Sequence, residues 1–546
     1  MMHTTSESAR HSAHIDTFCR DNLPPADQWP TFEFTLPELQ YPDRINCATA
    51  LLDDVIALHG PDRPCLSGGG ESWTYGETLA HANRIAHVLV EDLGLVPGGR
   101  VLLRGFNNPW MAACWLGVLK AGGVVVTTMP LLRGKEIRGL IDLTRAGIAL
   151  CDHRLAEGMS AAADGVTVVY FGGAGPDDLV ARASTKPAQF DDVPTAADDV
   201  AMLAPTSGTT GVPKATMQFH RDVLAVCDTF SKHVLQPTED DVFTGTPPLG
   251  FTFGLGGALL FPLRVGASSI LLEHPDQDAI ADAIMHGGAT ILFTAPTAYR
   301  SMLRSGHESV LGRLRRGVSA GEALPGAVWQ EVRDRTGLAL IDGIGATEMM
   351  HVFISAADEN IRPGATGRVV PGYRAEVLDS SGRPAPDGEP GRLAVIGPTG
   401  CRYLADPRQA QYVHDGWNIT GDTYIRDADG YFWFQARSDD MIVSSGYNIA
   451  GPAVEQALGQ HPDVVECAVI GIPDEARGAV VHAAVVLRDG VAGDDAKRSE
   501  LQRFVKDAIA PYKYPRSLEF RASLPKTPTG KLQRYRLREQ IAEQGR

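Results

Sequence analysis

Residues 204–216 read APTSGTTGVPKAT and follow an apolar run that begins at Val200. Gly208 and Gly211, a cluster of hydroxyl side chains and a single lysine, Lys214, make a composition suited to wrapping phosphate. A P-loop NTPase would need Lys immediately after the second Gly, then Ser or Thr, at the start of a helix. Here Val212 and Pro213 intervene, and Ala215 follows the Lys. Pro213 also removes a backbone donor that a helix start would use. The spacing therefore predicts a hairpin-like loop after a strand. Its backbone N–H groups and the hydroxyls of Thr206, Ser207, Thr209 and Thr210 would face a triphosphate.

Outward from this loop, helical and strand patterns alternate between about residues 46 and 400. The stretch 78–93 has helical spacing and precedes a strand at 101–105. Helix, strand, helix, strand then recur through 110–171, and again through 267–296. Such alternation predicts mostly parallel sheets covered by helices. After about residue 365 the texture becomes strand, Gly/Pro turn, strand, which is antiparallel or barrel-like. The last hundred residues read as a small α/β unit of their own, joined near ARSDDMIVSSG (436–446). The fold class expected is α/β: a large N-terminal domain of helix-covered, mostly parallel sheets with a β-barrel-like part, then a small mobile α/β C-terminal domain. The expected boundaries are 1–436, with 1–20 a frayed polar leader, a hinge at 437–440, and 441–546.

Bulk properties exclude several classes. The chain has 546 residues, 44% hydrophobic and 21% charged, with a net charge of −16 and no basic block, which argues against a nucleic-acid binder. Eight cysteines contain no CxxC pair, so no zinc site or disulfide framework is indicated, and a reduced, cytoplasmic setting is expected. The most apolar stretch, 110–130, carries Lys120 and Gly122-Gly123, so helix–turn–strand is expected rather than a membrane span.

The nine residues TSGTTGVPK (206–214) resemble the signature loop of the AMP-forming adenylating enzymes, the superfamily of acyl- and aryl-CoA synthetases, adenylation domains and luciferase. Further stretches follow in the order that this resemblance requires, over roughly residues 45–540. SAGEALP (319–325) is similar to the adenine segment, implying Gly321, Glu322 and Ala323 at the base. IDGIGATE (341–348) looks like the motif that adds Asp342, Gly343 and Ile344 there. In that motif Thr347 would touch the AMP phosphate and Glu348 would hold Mg²⁺, a hard cation suited to oxygen ligands. Ile344 departs from the family's usual aromatic residue. Asp422, in TGD, and Arg437 match the ribose contacts, with Ala436 in place of the usual Gly. PKTPTGKLQR (525–534) resembles the loop of the catalytic lysine, here Lys531.

The resemblance implies two half-reactions. A carboxylate displaces pyrophosphate from ATP, and the C-terminal domain then swings about Asp439 to present Gly446 and Tyr447 to the thiol of coenzyme A. ATP, Mg²⁺ and coenzyme A are the implied cofactors. The acid pocket is expected from Phe251, Thr252 and Phe253 in GFTFGLGGAL (250–259), with Gly345 and His351 opposite. DNLPPADQWP (21–30) and GIGATEMMHVFI (343–354) look like the benzoate- and 2-aminobenzoate-CoA ligase branch. A small aromatic acid is thus the expected partner, without nucleic acid or membrane, and a homodimer is left open. The alternatives are loading of an aryl acid onto a carrier-protein phosphopantetheine, which shares every motif, and luciferase-like oxidation of the adenylate.

Overall fold

A computed structural model describes residues 11–207, 213–322, 324–379, 381–437, 441–525 and 534–544. A six-stranded sheet runs in the order Thr167–Phe171, Ile148–Asp152, Arg100–Arg104, Val124–Thr127, Val200–Ser207, Pro213–Phe219. Its neighbours are parallel until the last pair, which closes as an antiparallel hairpin. Val124–Thr127 is buried at every position, as a strand covered on both faces must be.

A nine-stranded sheet lies against it. The central strands Leu340–Gly345, Arg316–Ser319, Ile291–Thr294, Val242–Gly245, Ser268–Leu271 and Pro64–Gly68 are parallel. Antiparallel strands finish both edges. Val101, Leu103 and Val125 of the first sheet share one core with Phe243, Phe293 and Val318 of the second.

Part of that shared core is the helix Pro109–Lys120. Pro109 supplies a fixed φ at its first turn, and the Asn108 side chain caps it by accepting from the Met111 N–H at 2.9 Å. Only Trp110 escapes full burial. Lys120 is 0% exposed because its ammonium ends between Asp53 (2.6 Å) and Asp192 (2.8 Å). Gly122 then turns the chain at φ 71° into the next strand. No helix among the described residues is long and apolar enough to cross a membrane, and all eight cysteines are unpaired.

The expected antiparallel part is a five-stranded sheet built from Arg374–Leu378, Pro390–Ile396, Val413–His414, Trp417–Arg426 and Phe432–Arg437. Beyond it, Val464–Asp474 and Gly478–Leu487 form a long hairpin, with Ser517–Phe520 added in parallel. The helices Gly451–Leu458 and Asp495–Ala508 pack one face of this small sheet around Val469, Val481 and Leu501. Leu537, from the helix Arg534–Gln544, packs the other face against Ala468, Ile470 and Ala484. The hinge at Asp439 lies outside the described residues.

The amino-terminal leader differs from expectation. Residues 1–10 lie outside the described part, but 12–20 are packed rather than frayed. The buried Asp199 carboxylate explains this: it accepts from the Ser12 hydroxyl, the Ala13 N–H (2.9 Å) and the Arg20 guanidinium (2.9 Å). A buried carboxylate needs such donors, and they anchor the segment while Cys19 enters the core.

Candidate active site

The predicted hairpin is present, with Thr206 opposite Lys214 and Ser207 opposite Pro213. Gly208, Thr209 and Thr210 lie outside the described residues. The two-residue period of a strand sorts the return segment Pro213–Phe219. Ala215, Met217 and Phe219 enter the core. Lys214, Thr216 and Gln218 therefore share the opposite face. From that face Gln218 Nε2 donates to the Thr347 carbonyl at 2.9 Å, with Thr216 Oγ1 at 3.5 Å from the same oxygen. The phosphate-loop strand thus anchors the Thr347–Glu348 turn directly.

That turn follows the strand Leu340–Gly345 and is a short 3-10 helix, Thr347–Met349. Met350 has φ 66°, a left-handed conformation rare outside Gly, and it reverses the chain into Val352–Ser355. A side chain at Gly345 would meet the His351 carbonyl oxygen at 2.7 Å, so the tight return requires Gly there. Glu348 is buried, 8% exposed, and Lys214 Nζ lies 3.3 Å from its Oε1. Tyr403, which sequence reasoning missed, donates its phenol to the same Oε1 and accepts from Lys214. Burial first, and then the adjoining carboxylate, push this phenol far above its ordinary value, so it remains an O–H donor. Thr216 and Gln218 were also missed, although the two-residue alternation around Lys214 marks them. No local pattern marks Tyr403.

A cavity of about 920 Å³ opens beside this cluster, lined by Thr206, Thr347, Gly345, Phe251, Thr252, Phe253, His351 and Gly321, among others. His351 is caged by Phe230, Phe253, Phe261 and Phe293 at centroid distances of 4.6–6.4 Å. Neither ring nitrogen makes a well-formed hydrogen bond. Burial pushes the imidazole down to about 3, weakly opposed by the Phe253 backbone, so the ring is neutral.

Gly446 and Tyr447 from the C-terminal part line the same cavity. Tyr447 stands edge-on to Phe251 at 6.4 Å and stacks on Tyr512 at 4.4 Å. Lys513 to Glu136 (2.6 Å) and Arg300 to the Glu475 carbonyl (2.6 Å) hold the two parts together. Glu322 belongs to this junction: its carboxylate accepts from the Gly446 N–H and faces Thr297 Oγ1 at 3.5 Å. Burial pushes it up to about 7.

The remaining expected residues are more dispersed. Asp342 lines a small recess with Leu324, Trp329 and Gly364 rather than the large cavity, and burial raises its carboxyl well above the usual range. Ile344 packs against the main core. A side chain at Gly343 would meet Val352 Cγ1 at 2.8 Å, so that position serves strand packing. Asp422 and Arg437 are direct cross-strand partners. Ala323 and Lys531 lie outside the described residues.

The strand hairpin thus carries a lysine toward the Thr347–Glu348 turn, beside a cavity shared with a small C-terminal part. Residues 54–403 match the AMP-binding enzyme family, and 453–531 match the AMP-binding enzyme C-terminal domain. The chain belongs to this family. It is 35% identical to a benzoate–CoA ligase of Thauera aromatica over 92% of this chain and 98% of that one. Among solved structures, this AMP-binding enzyme is similar to an anthranilate CoA ligase in complex with anthranoyl-AMP, at 31% identity, TM-score 0.71, covering 92% and 99% of the two chains. It is also similar to an amide bond synthetase of Marinactinospora thermotolerans, at 28% identity, TM-score 0.81, covering 91% and 100%.

Proposed function

We propose that this AMP-forming aryl–CoA ligase activates a benzoate carrying a hydrogen-bonding ring substituent, 2-aminobenzoate foremost. The acid's carboxylate oxygen attacks the α-phosphorus of ATP, and pyrophosphate leaves. The coenzyme A thiol then attacks the acyl carbonyl, loses its proton, and releases AMP. The observation carrying the choice of acid is the neutral His351, buried among four phenylalanines at the cavity wall without a well-formed hydrogen bond. Such a polar group is costly unless a ligand satisfies it. Phe251 and Phe253 supply flat apolar contact to a ring, and the similarity to benzoate and anthranilate ligases supports the same reading.

In this reading Lys214 and the hydroxyls of the 206–210 loop hold the β- and γ-phosphates that depart together. Thr347 holds the α-phosphate. Asp422 and Arg437 hold the ribose, and Lys531 stabilises the charge that develops as the carboxylate attacks. Glu348 fits a hard divalent cation, since it is a buried carboxylate next to the phosphate lysine. Mg²⁺ bound there would neutralise phosphate charge. Gly446 and Tyr447 at the cavity agree with the arrangement for the second half-reaction, in which they line the thiol's path and Asp439 is the pivot.

Pyrophosphate release across benzoates, short acids and fatty acids, each with and without coenzyme A, tests the assignment. The expected result is preference for 2-aminobenzoate, with thioester formed only when coenzyme A is present. Activity confined to fatty acids overturns the choice of acid. Transfer only to a carrier protein or an amine, or oxygen uptake with light, overturns the acceptor.

A further inference from the structure

The trio of Lys214, Tyr403 and Glu348 contains one member for which the reaction scheme has no use. Glu348 already has a cationic neighbour, Lys214, 3.3 Å from Oε1. A second donor on the same oxygen is redundant as long as that lysine stays. Lys214, however, is the residue the triphosphate needs. Its ammonium also lies 4.1 Å over the Tyr403 ring, on a four-carbon stem that can be drawn away. Tyr403 cannot follow it. The phenol is 1% exposed, and its backbone is pinned to the phosphate-loop strand on both sides. Met217 N donates to the Arg402 carbonyl (2.7 Å), and Leu404 N donates to the Ala215 carbonyl (2.9 Å).

We propose that Tyr403 is a positioning residue for the cation site. It would keep Oε1 of Glu348 engaged once Lys214 turns to the phosphates, leaving the other carboxylate oxygen to hold a divalent cation. This rests on the reading of Glu348 as the cation's ligand. In the nucleotide-free chain the lysine and the phenol hold the carboxylate together. When ATP arrives the ammonium would exchange the carboxylate for phosphate oxygens, and the phenol would keep the buried carboxylate from rotating. An outer partner of this kind is worth roughly 10–100-fold in metal affinity.

The test is binding of a non-hydrolysable ATP analogue, measured by calorimetry with Mg²⁺ and again with EDTA. Near-ultraviolet circular dichroism checks the fold of each variant. Tyr403→Phe is expected to shrink the Mg²⁺-dependent gain in affinity about tenfold while leaving the affinity in EDTA unchanged. Glu348→Asp, which pulls the carboxylate back from the phenol without disturbing Tyr403, is expected to show the same selective loss. Lys214→Met is expected to weaken binding under both conditions. If Tyr403→Phe or Glu348→Asp keeps the full Mg²⁺ gain, or loses affinity equally with and without Mg²⁺, the positioning role is overturned. Glu348→Gln separates the two layers. Should it keep the gain, Glu348 is not the cation's ligand and the underlying reading fails. Should it lose the gain while Tyr403→Phe does not, only the role of Tyr403 fails.

Discussion

Gly256→Ala is a sharp probe of the cage around His351, because the new methyl would press most closely on that imidazole. Gly256 has helical dihedrals, φ −59° and ψ −57°. In an open helical position, Ala in place of Gly stabilises by roughly 0.5–1 kcal/mol. Here the new Cβ would lie 2.5 Å from His351 Nε2 and 3.0 Å from Phe261 Cζ. The imidazole is packed among four aromatic rings, so it can yield only by shifting against them. Overpacking of this kind costs about 1–3 kcal/mol. Gly256→Ala should therefore destabilise the wild-type background and stabilise the His351→Ala background. The coupling between the two sites should be on the order of 2–3 kcal/mol. Chemical denaturation of the four proteins in the cycle measures it. The same displacement should cut the kcat/KM preference for 2-aminobenzoate over benzoate roughly fivefold, about one neutral hydrogen bond. If Gly256→Ala is stabilising with His351 in place, or if the substrate ratio does not move, the cage reasoning is wrong.

Other expectations can be checked alongside. Glu322 is pushed up to about 7 in the folded chain, above the ordinary carboxylate value of 4.5. The native state therefore holds the extra proton between those values, and stability should fall as pH rises through that window. Glu322→Gln should flatten this slope in denaturation curves taken from pH 5 to 8; an unchanged slope removes Glu322 as its source. Arg402 and Asp222 form an ion pair with both side chains 0% exposed, and Phe219 lies 3.8 Å from the guanidinium carbon. Asp222→Asn should cost about 3–5 kcal/mol by stranding the buried cation, and a loss below about 1 kcal/mol contradicts this. Lys531→Ala should slow adenylation about 10²-fold or more. Asp439→Pro should spare adenylation and impair thioester formation. Timing the two half-reactions separately distinguishes these variants, and equal loss in both for Asp439→Pro removes the hinge assignment.

What the chain's own order of residues determined was local and repetitive. The Val212-Pro213 insertion before Lys214 ruled out a helix start and called for a hairpin. Alternating helix and strand patterns required covered parallel sheets. The two-residue period of 213–219 decided that Lys214, Thr216 and Gln218 share a face, because side-chain direction along a strand follows from backbone geometry alone. The order of the signature stretches placed the chemistry in one family. Tertiary structure decided the rest, through contacts between residues remote in sequence. Tyr403 is 189 positions from Lys214 and 55 from Glu348. It meets them only because 402–404 pairs with the edge of the phosphate-loop strand. The burial that makes His351 neutral comes from phenylalanines on three separate stretches of chain, Phe230, Phe293 and the helical run that carries Phe253 and Phe261. The upward shift of Glu322 comes from burial at the junction of the two parts, against the opposing hydrogen bond from Gly446 N–H, and the ordering of residues 12–20 comes from a buried carboxylate at position 199. A sequence specifies which side chains are available and which way each faces along its own element. Desolvation and partnership arise when distant elements pack, and these two effects decide which polar groups in this site are charged, neutral or held in place.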